Sequence, residues 1–249
     1  MFRRMSLVLG LTVLLSTVTV ASTGPAAESN RIAIARIRWT QGGGWFTGPD
    51  AWNHDYPVNE ANLLRQLQEH TTIDVVRDID RAVDGGIVEL TDSRLNEYVF
   101  AYLCEVQDVV FTPEEVDGLR EYLTRGGFLL VDDARGEEGL RHFAGELKKV
   151  FPTKTLQPLR TDHPLFHSFY DIDEYQKIPA GTPFGTIFYP GEPLCYGLSD
   201  DRGRVIVMVN WNTDISDGWE NAANPIYPRE YAVAAYKLGI NIAVYAMTH

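Results

Sequence analysis

The clearest structural pattern in this sequence is residues 112–133, TPEEVDGLREYLTRGGFLLVDD. Thr112 and Glu115 have the spacing of a capping box, which predicts that a helix begins here. The glycine pair at 126–127 is typical of a helix end, and FLLV at 128–131 contains no polar residue. A strand that is buried on both faces of a parallel sheet has this composition. The pattern therefore predicts a helix followed by a central parallel strand.

Two aspartates, Asp132 and Asp133, follow this predicted strand directly. In open α/β sheets, ligands bind outside the carboxyl ends of the strands, so the pair is a candidate catalytic or ligand-binding site. Because side chains alternate along a strand, only one of the two would enter a given cleft unless the strand has already ended. The competing structural interpretation is that one aspartate caps the following helix and the other pairs with Arg135 or Arg141.

Strand and helix patterns alternate along the rest of the chain, which predicts a doubly wound α/β sheet. A hairpin with its turn at 200–203 would add an antiparallel pair at one edge. Residues 151–190 are predicted to be a long structured excursion, and residues 210–228 a polar, aromatic loop. The predicted strands are 31–39 (alternating), 73–76, 87–88, 98–103, 194–198 and 204–209, and the predicted helices are 59–70 (capped by Asn59), 136–150 and 229–247.

The composition is that of one soluble globular domain with an acidic balance. Lys+Arg total 22 against 34 Asp+Glu in 249 residues, which gives a net charge of −12. Such a balance argues against a nucleic-acid backbone or an anionic membrane surface as the main partner. The expected partner is instead a small molecule or another protein.

The first 27 residues resemble a signal peptide and are excluded from the fold argument. Arg3 and Arg4 form a basic start, residues 7–15 are apolar, and small residues at 20–22 and 26–27 offer cleavage sites. The mature domain would then be 28–249, periplasmic or secreted. The alternative is an uncleaved anchor, because the apolar segment is just long enough to cross a membrane.

Neither the two cysteines nor the glycine-rich loop indicates a cofactor. Cys104 and Cys195 lie in apolar segments, which favours two buried free thiols, with a disulfide as the alternative. Neither cysteine has a Cys or His at zinc-ligand spacing. The loop at 41–49, QGGGWFTGP, lacks both the P-loop ending and the dinucleotide-binding spacing. No cofactor or metal centre is therefore predicted from spacing.

Two further groups of residues are candidates for a site. In TDHPLFHSF, His163 could face the carboxyl edge as an acid or base, whereas His167 is expected to order its loop through backbone bonds. Aromatic and polar side chains in two loops could line a ligand pocket, although the tryptophans could equally plug the ends of the sheet. These candidates are Trp45, Asn210, Asp214, Trp219 and Glu220.

Several stretches together resemble the bacterial family called domain of unknown function 4159. They are RIAIARIRWTQGGGWF at 31–46, GGFLLVDD at 126–133, DHPLFHSFYDID at 162–173, and DGWE at 217–220 before GINIAVYA at 239–246. That family is similar to the class I glutamine-amidotransferase-like fold, which includes the ThuA-like proteins. The resemblance implies a flavodoxin-like domain with a mostly parallel sheet, helices on both faces and an antiparallel hairpin at one edge.

The resemblance does not extend to the glutaminase chemistry. Amidotransferases carry their nucleophilic cysteine just after the strand that ends here in Asp132 and Asp133, and no later His-x-Glu pair is present. Asn210 and Trp211 stand where ThuA-like proteins usually have Gly-His. The first hypothesis is therefore a non-catalytic domain that binds a ligand or an envelope partner. The alternatives are a carbohydrate or amide hydrolase using Asp132 or Asp133 with His163, and metal-dependent binding through the Asp pair.

Overall fold

The computed structural model describes residues 32–39, 51–76, 86–98 and 100–249. The strands are β1 Ile34–Ile37, β2 Ile87–Val88, β3 Phe100–Leu103, β4 Phe128–Ala134, β5 Gln157–Pro158, β6 Ala180–Thr182, β7 Gly185–Ile187, β8 Leu194–Ser199 and β9 Val205–Trp211. The α-helices, numbered here in chain order, are α1 Val58–His70, α2 Pro113–Thr124, α3 Gly136–Val150, α4 Ile215–Glu220 and α5 Arg229–Thr248.

Seven of the strands form one mixed sheet in the order β2-β1-β3-β4-β9-β8-β5. The first five strands in this order are parallel to their neighbours, while β8 is antiparallel to both β9 and β5. Strands β6 and β7 form a separate antiparallel hairpin. The prediction of a mostly parallel α/β sheet with an antiparallel addition at one edge is confirmed.

The predicted capping box at the start of α2 is present. Thr112 Oγ1 accepts a hydrogen bond from the Glu115 backbone N–H at 3.2 Å, and Glu115 Oε2 accepts one from the Thr112 N–H at 2.8 Å. The helix ends before Gly126, whose φ of 106° is a conformation that glycine adopts readily. All seven residues of β4 are buried, as expected for a strand in the middle of a sheet.

The core has two layers because helices cover both faces of the sheet. On one face, Leu63 of α1 and Ile242 of α5 pack with alternate strand residues such as Phe128. On the other face, Leu119 of α2 and Leu147 of α3 pack with the intervening strand residues. Apolar residues that recur at helical spacing therefore bury one side of each helix, which fixes the sheet between them.

The first strand and the first helix differ from their predicted forms. The strand is only four residues long and does not alternate, because Arg36 is buried along with its apolar neighbours. Asn59 does not cap the first helix; it lies inside α1 and accepts a hydrogen bond from Arg36. Buried polar groups require hydrogen-bond partners. The bond between Arg36 and Asn59 therefore explains both why Arg36 is buried in the first strand and why Asn59 lies inside the first helix.

Two further segments also depart from the prediction. The strand expected at 73–76 is reduced to a single parallel bridge between Val75 and Ile32. The supposed loop at 210–228 contains the helix α4, whose six residues are too few to show helical periodicity in the sequence.

The two cysteines are both buried and free. Among the described residues, no helix is long and apolar enough to cross a membrane. The predicted signal peptide and the glycine-rich loop with Trp45 lie outside the described residues.

Candidate functional site

The candidate site lies at the carboxyl edge of the parallel strands, where β3, β4 and β9 end. Glu105 follows β3, Asp132 and Asp133 lie near the end of β4, and Asp214 follows β9 shortly before α4. The parallel pairing places all these strand ends at one edge of the sheet. A loop before α1, residues 51–57, adds His54 and Asp55 to the same edge.

Asp132 is fully buried and is saturated with hydrogen bonds. Its carboxylate accepts from Asn210 Nδ2 at 3.0 Å, from Tyr102 Oη at 3.3 Å and from the Ser216 N–H at 2.9 Å. It therefore caps a helix, as one interpretation of the sequence held, but the helix is the distant α4 and not the adjacent α3. Burial, followed by repulsion from Asp214, raises the pKa of Asp132 to about 8. Asp132 thus positions α4 from inside the protein.

Asn210 extends this internal network instead of facing a cleft. Its Nδ2 donates to Asp132, and its Oδ1 accepts from the Tyr175 hydroxyl at 2.7 Å. The side chain is completely buried. The ligand-binding role predicted for Asn210 is therefore replaced by a structural one, because both ends of its carboxamide already have partners.

Asp133 belongs to the first of two potential metal-ligand sets, which consists of His54, Glu105 and Asp133. One ligand atom from each residue lies within 4.8 Å of the other two. Arg135 Nε donates to Asp133 Oδ1 at 2.8 Å, and Arg135 Nη2 contacts both Asp133 Oδ2 and Glu105 Oε1. The sequence-based alternative that one aspartate pairs with Arg135 is thus correct for Asp133.

The carboxyl of Glu105 is nearly buried and faces a like charge. Burial, followed by the charge of Asp133, raises the pKa of Glu105 to about 9. A carboxyl with this pKa holds its proton at neutral pH, so Glu105 and Asp133 together carry fewer than two negative charges. The His54 ring, with its side chain 48% exposed, lies 3.5 Å from Glu105 on one side and 3.5 Å from Asp55 on the other.

The second potential ligand set consists of Asp55, Asp214 and Asp217, again with ligand atoms within 4.8 Å of one another. Asp214 is fully buried and accepts from the Asp217 N–H at 3.1 Å and from the Tyr189 hydroxyl at 2.9 Å. Asp217 accepts from the Gly181 N–H at 2.8 Å. Within the described parts of the chain, no Lys or Arg forms an ion pair with this set.

The carboxyl groups of the second set are neutralised by bound protons, because their pKa values are raised. Burial, then Asp214, raises the pKa of Asp217 to about 11 and that of Asp55 to about 8. Burial, then Asp133, also raises the pKa of Asp214. Ser216 Oγ lies 3.0 Å from an Asp55 oxygen and 3.1 Å from an Asp214 oxygen, yet a hydroxyl has only one proton to donate. One of these two carboxyls must therefore donate a proton in return.

The loop that supplies His54 and Asp55 is fixed by hydrogen bonds from Arg36 of β1. The Arg36 guanidinium donates to the carbonyl oxygens of Trp52 at 2.9 Å and His54 at 3.1 Å. It also forms an ion pair of 2.5 Å with Glu60, and both side chains are buried. A buried arginine with five donors can join several chain segments at once, so it fixes the loop relative to β1 and α1.

Backbone strain concentrates at this edge of the sheet. Four described non-glycine residues have φ between 55° and 61°, namely Asp55, Glu105, Asp133 and Asn212. Left-handed conformations are unfavourable for most residues with a side chain, although Asp and Asn adopt them more readily than Glu does. All four lie in or directly beside the two ligand sets, and such strain typically persists at functional sites.

Several predicted site residues lie away from this cleft. The His163 ring lies 5.7 Å from the ring of Tyr245 in a tilted arrangement, and the Tyr245 hydroxyl accepts from the N–H of Val205 at the start of β9. His163 is therefore at the amino edge, opposite Asp132. His167 bonds to Asp171 and to the Thr161 carbonyl, so it orders its loop as expected.

The remaining predicted ligand-binding residues divide into three groups. Trp219 is a core residue, 1% exposed, and its Nε1 donates to the Ala235 carbonyl at 2.9 Å. Asp214 is part of the second ligand set, and Glu220 lies close enough to Asp55 to raise its pKa. Trp45 lies outside the described residues.

Sequence analysis missed His54, Asp55, Glu105 and Asp217, which complete the two ligand sets. One local signal was the position of Glu105 shortly after the end of a predicted strand. Carboxylate, imidazole and hydroxyl groups of this kind bind divalent cations, and an all-oxygen set such as the second favours Mg²⁺, Ca²⁺ or Mn²⁺.

Residues 33–247 match the model of a protein family described as Domain of unknown function (DUF4159). The chain belongs to this family. No curated protein matches the chain.

Proposed function

We propose that this protein is an exported binding domain whose carboxyl-edge cleft takes a divalent cation, either alone or as part of a small ligand. The observation that carries this proposal is the set of Asp55, Asp214 and Asp217, three closely spaced carboxyls with no Lys or Arg paired to them among the described residues. Buried charges in proteins are paired or coordinate a metal ion. A divalent cation would replace the shared protons and neutralise the set.

The proposal includes a flavodoxin-like, amidotransferase-like fold without glutaminase chemistry. Its parallel part has the order β2-β1-β3-β4-β9, which corresponds to the 2-1-3-4-5 order of flavodoxin-like sheets. Asp133, near the end of β4, has a φ of 57°. By the resemblance, this is the region where amidotransferases place their cysteine, and here it presents a carboxylate. Export rests on the signal-peptide pattern of residues 1–27.

Calorimetric titration with Mn²⁺, Ca²⁺ and Mg²⁺ tests the proposed cation site. At pH 8, wild-type protein should bind at least one ion per chain, and saturation at a hundredfold over Kd should add about 2.7 kcal/mol of stability. Asp214→Asn should weaken binding at least tenfold, because it removes a central ligand. The matched control is Asp162→Asn, which changes an exposed aspartate. Absence of binding by the wild type at millimolar concentrations of all three ions would contradict the proposal.

A hydrolase remains the second candidate function, acting on a carbohydrate or an amide. The favouring observation is the Glu105–Asp133 pair, in which one carboxyl with a raised pKa faces a second carboxyl beside an exposed His54. Pairs whose environments separate their pKa values provide acid and base roles. The histidine available at this edge is His54, whereas His163 lies at the opposite one. An activity found by substrate screening should disappear in Glu105→Gln while cation binding by the second set persists.

A further inference from the structure

We infer that a groove along α5 binds a short extended peptide, at a site separate from the carboxyl-edge cleft. The groove lies between the first half of α5 and residues 171–178, the segment that precedes β6. Its volume is about 560 Å³, within the roughly 300–1,000 Å³ that is usual for ligand pockets. None of the residues that line it belongs to the two ligand sets, so the inference does not depend on the proposed function.

One wall of the groove offers backbone groups for hydrogen bonding. Residues 173–177 belong to no helix or strand, and their N–H and C=O groups have no hydrogen-bond partner among the described residues. The segment is nevertheless fixed at both ends. Tyr170 exchanges two backbone hydrogen bonds with the Asn241 carboxamide, at 2.7 and 2.8 Å, and the Ile178 N–H donates to Thr213 Oγ1 at 2.8 Å. A peptide can pair with such groups as it does with an unpaired strand edge.

The rest of the groove surface is largely apolar and is already formed. Its apolar lining residues are Ile172, Tyr175, Ile178, Val233, Ala234 and Leu238. The Tyr175 ring is held in place, because its hydroxyl donates to Asn210 Oδ1 at 2.7 Å and its ring meets Phe166 edge-on at 6.0 Å. Val233 is 43% exposed although it is aliphatic. An apolar side chain of a bound peptide would therefore cover these residues without a rearrangement of the protein.

Charged side chains at the rim suit a peptide of about four residues with free ends. Arg229 and Lys237 are eight residues apart on α5, which is about 12 Å along a helix axis. Asp173 and Glu174 lie on the other wall, and within the described parts of the chain none of these four residues forms an ion pair. Four extended residues span at most about 13–14 Å, so the length of such a peptide matches the spacing of these charges.

The test is a calorimetric titration of the full-length, chelator-treated protein with two tetrapeptides that have free ends, Ala-Leu-Ala-Ala and Ala-Phe-Ala-Ala. At least one should bind saturably at millimolar concentrations. The same peptide with an N-methylated backbone should bind at least about tenfold more weakly, because methylation removes its N–H donors. Val233→Asp places a charge in the apolar wall and should weaken binding by a similar factor. The matched control is Val110→Asp, because Val110 is also 43% exposed but lies outside the groove.

Each arm of this experiment can overturn the inference. The groove is not a peptide site if neither peptide binds at millimolar concentrations. Equal binding of the N-methylated peptide would exclude backbone pairing, and unchanged binding by folded Val233→Asp would place the site elsewhere. If Val233→Asp does not fold, Ala234→Leu replaces it, because a larger side chain from the same wall fills the groove and should have the same effect. Since the chelator removes divalent cations, success or failure here is independent of the proposed cation site.

Discussion

The two edges of the parallel sheet use polar residues in opposite ways. At the amino edge, the Tyr245 hydroxyl accepts from the Val205 N–H at 3.0 Å, and Arg204 donates to the Gly126 carbonyl at 2.9 Å. His163 Nδ1 likewise accepts from the Leu165 N–H at 3.1 Å. Each of these bonds joins a side chain to the backbone.

At the carboxyl edge, by contrast, carboxyl groups face one another and share protons. The raised pKa values of Asp55, Glu105 and Asp217 all have burial and a neighbouring carboxyl as their causes. Such an arrangement costs stability, whereas the amino edge gains it. The contrast supports the proposal that the carboxyl edge carries the function while the amino edge closes the fold, since strongly perturbed carboxyls concentrate at functional sites.

The largest expected effect concerns the residue that supports the carboxyl edge. Arg36→Met should reduce the free energy of unfolding by about 3–5 kcal/mol, because it leaves the buried Glu60 carboxylate without its partner. Chemical denaturation measures this loss. The matched control is Arg38→Met, two residues further along the chain. Arg38 pairs with Glu89 at the exposed surface, so the free energy of unfolding should change by no more than about 0.5 kcal/mol. Equal effects of the two substitutions would refute the supporting role of Arg36.

The next effect is the pH dependence of stability. In the unfolded chain the aspartates have pKa values near 4, whereas the folded-state pKa is about 8 for Asp55 and about 11 for Asp217. Between the unfolded-state and folded-state pKa values, the folded protein holds more protons than the unfolded chain. The contribution of these two aspartates to stability is therefore complete below pH 4 and is lost as the pH rises towards their folded-state pKa values. Chelator-treated protein should be less stable at pH 8.5 than at pH 5.5 by at least about 2 kcal/mol, or at least roughly 5 °C in Tm, because each extra proton held by the folded state contributes about 1.4 kcal/mol per pH unit.

Calcium distinguishes this effect from general alkaline destabilisation. Because Ca²⁺ would replace the protons of the second ligand set, saturating Ca²⁺ should restore most of the lost stability at pH 8.5 and have little effect at pH 5.5. Thermal unfolding followed by circular dichroism at both pH values, with and without the ion, provides the measurement. A Tm that rises with pH in the absence of metal would contradict the assignment of shared protons to this edge.

The sequence was sufficient for the elements that are specified locally. The capping box of Thr112 and Glu115, the glycine stop and the apolar strand lie within one continuous segment, and the structure reproduces all three. The topological rule for open sheets also pointed, from Asp132 and Asp133 alone, to the edge at which the two ligand sets lie.

The ligand sets themselves could not be predicted, because they are assembled by tertiary structure. Asp55 and Asp217 are far apart in the chain, and no periodic pattern connects them. For Trp219 the sequence left open a choice between lining a pocket and plugging the end of the sheet, and in the structure its ring packs against Tyr102 in the core. One usable signal was overlooked: Asp214 precedes α4 as its N-cap and accepts from the Asp217 N–H, a typical helix start.

A smaller effect of opposite sign is expected within the cluster. Asp217→Asn should stabilise the metal-free protein at pH 8.5 by about 1–2 kcal/mol, because wild-type Asp217 must take up a proton when the chain folds at this pH, whereas an asparagine does not. At pH 5.5, which is closer to the pKa of an aspartate in the unfolded chain, the gain in stability should be smaller. Denaturant titrations at the two pH values measure the difference, and loss of the Ca²⁺ effect should accompany the gain in stability.

The smallest effect is expected at the amino edge, for His163→Ala. His163 caps only the short turn at 164–167, and burial, followed by His249, lowers the pKa of its ring. Loss of this single cap should cost about 1 kcal/mol and leave cation affinity unchanged, since the ring lies at the edge opposite Asp132. If His163→Ala instead weakened Mn²⁺ binding tenfold without loss of stability, the division of roles between the two edges would be wrong.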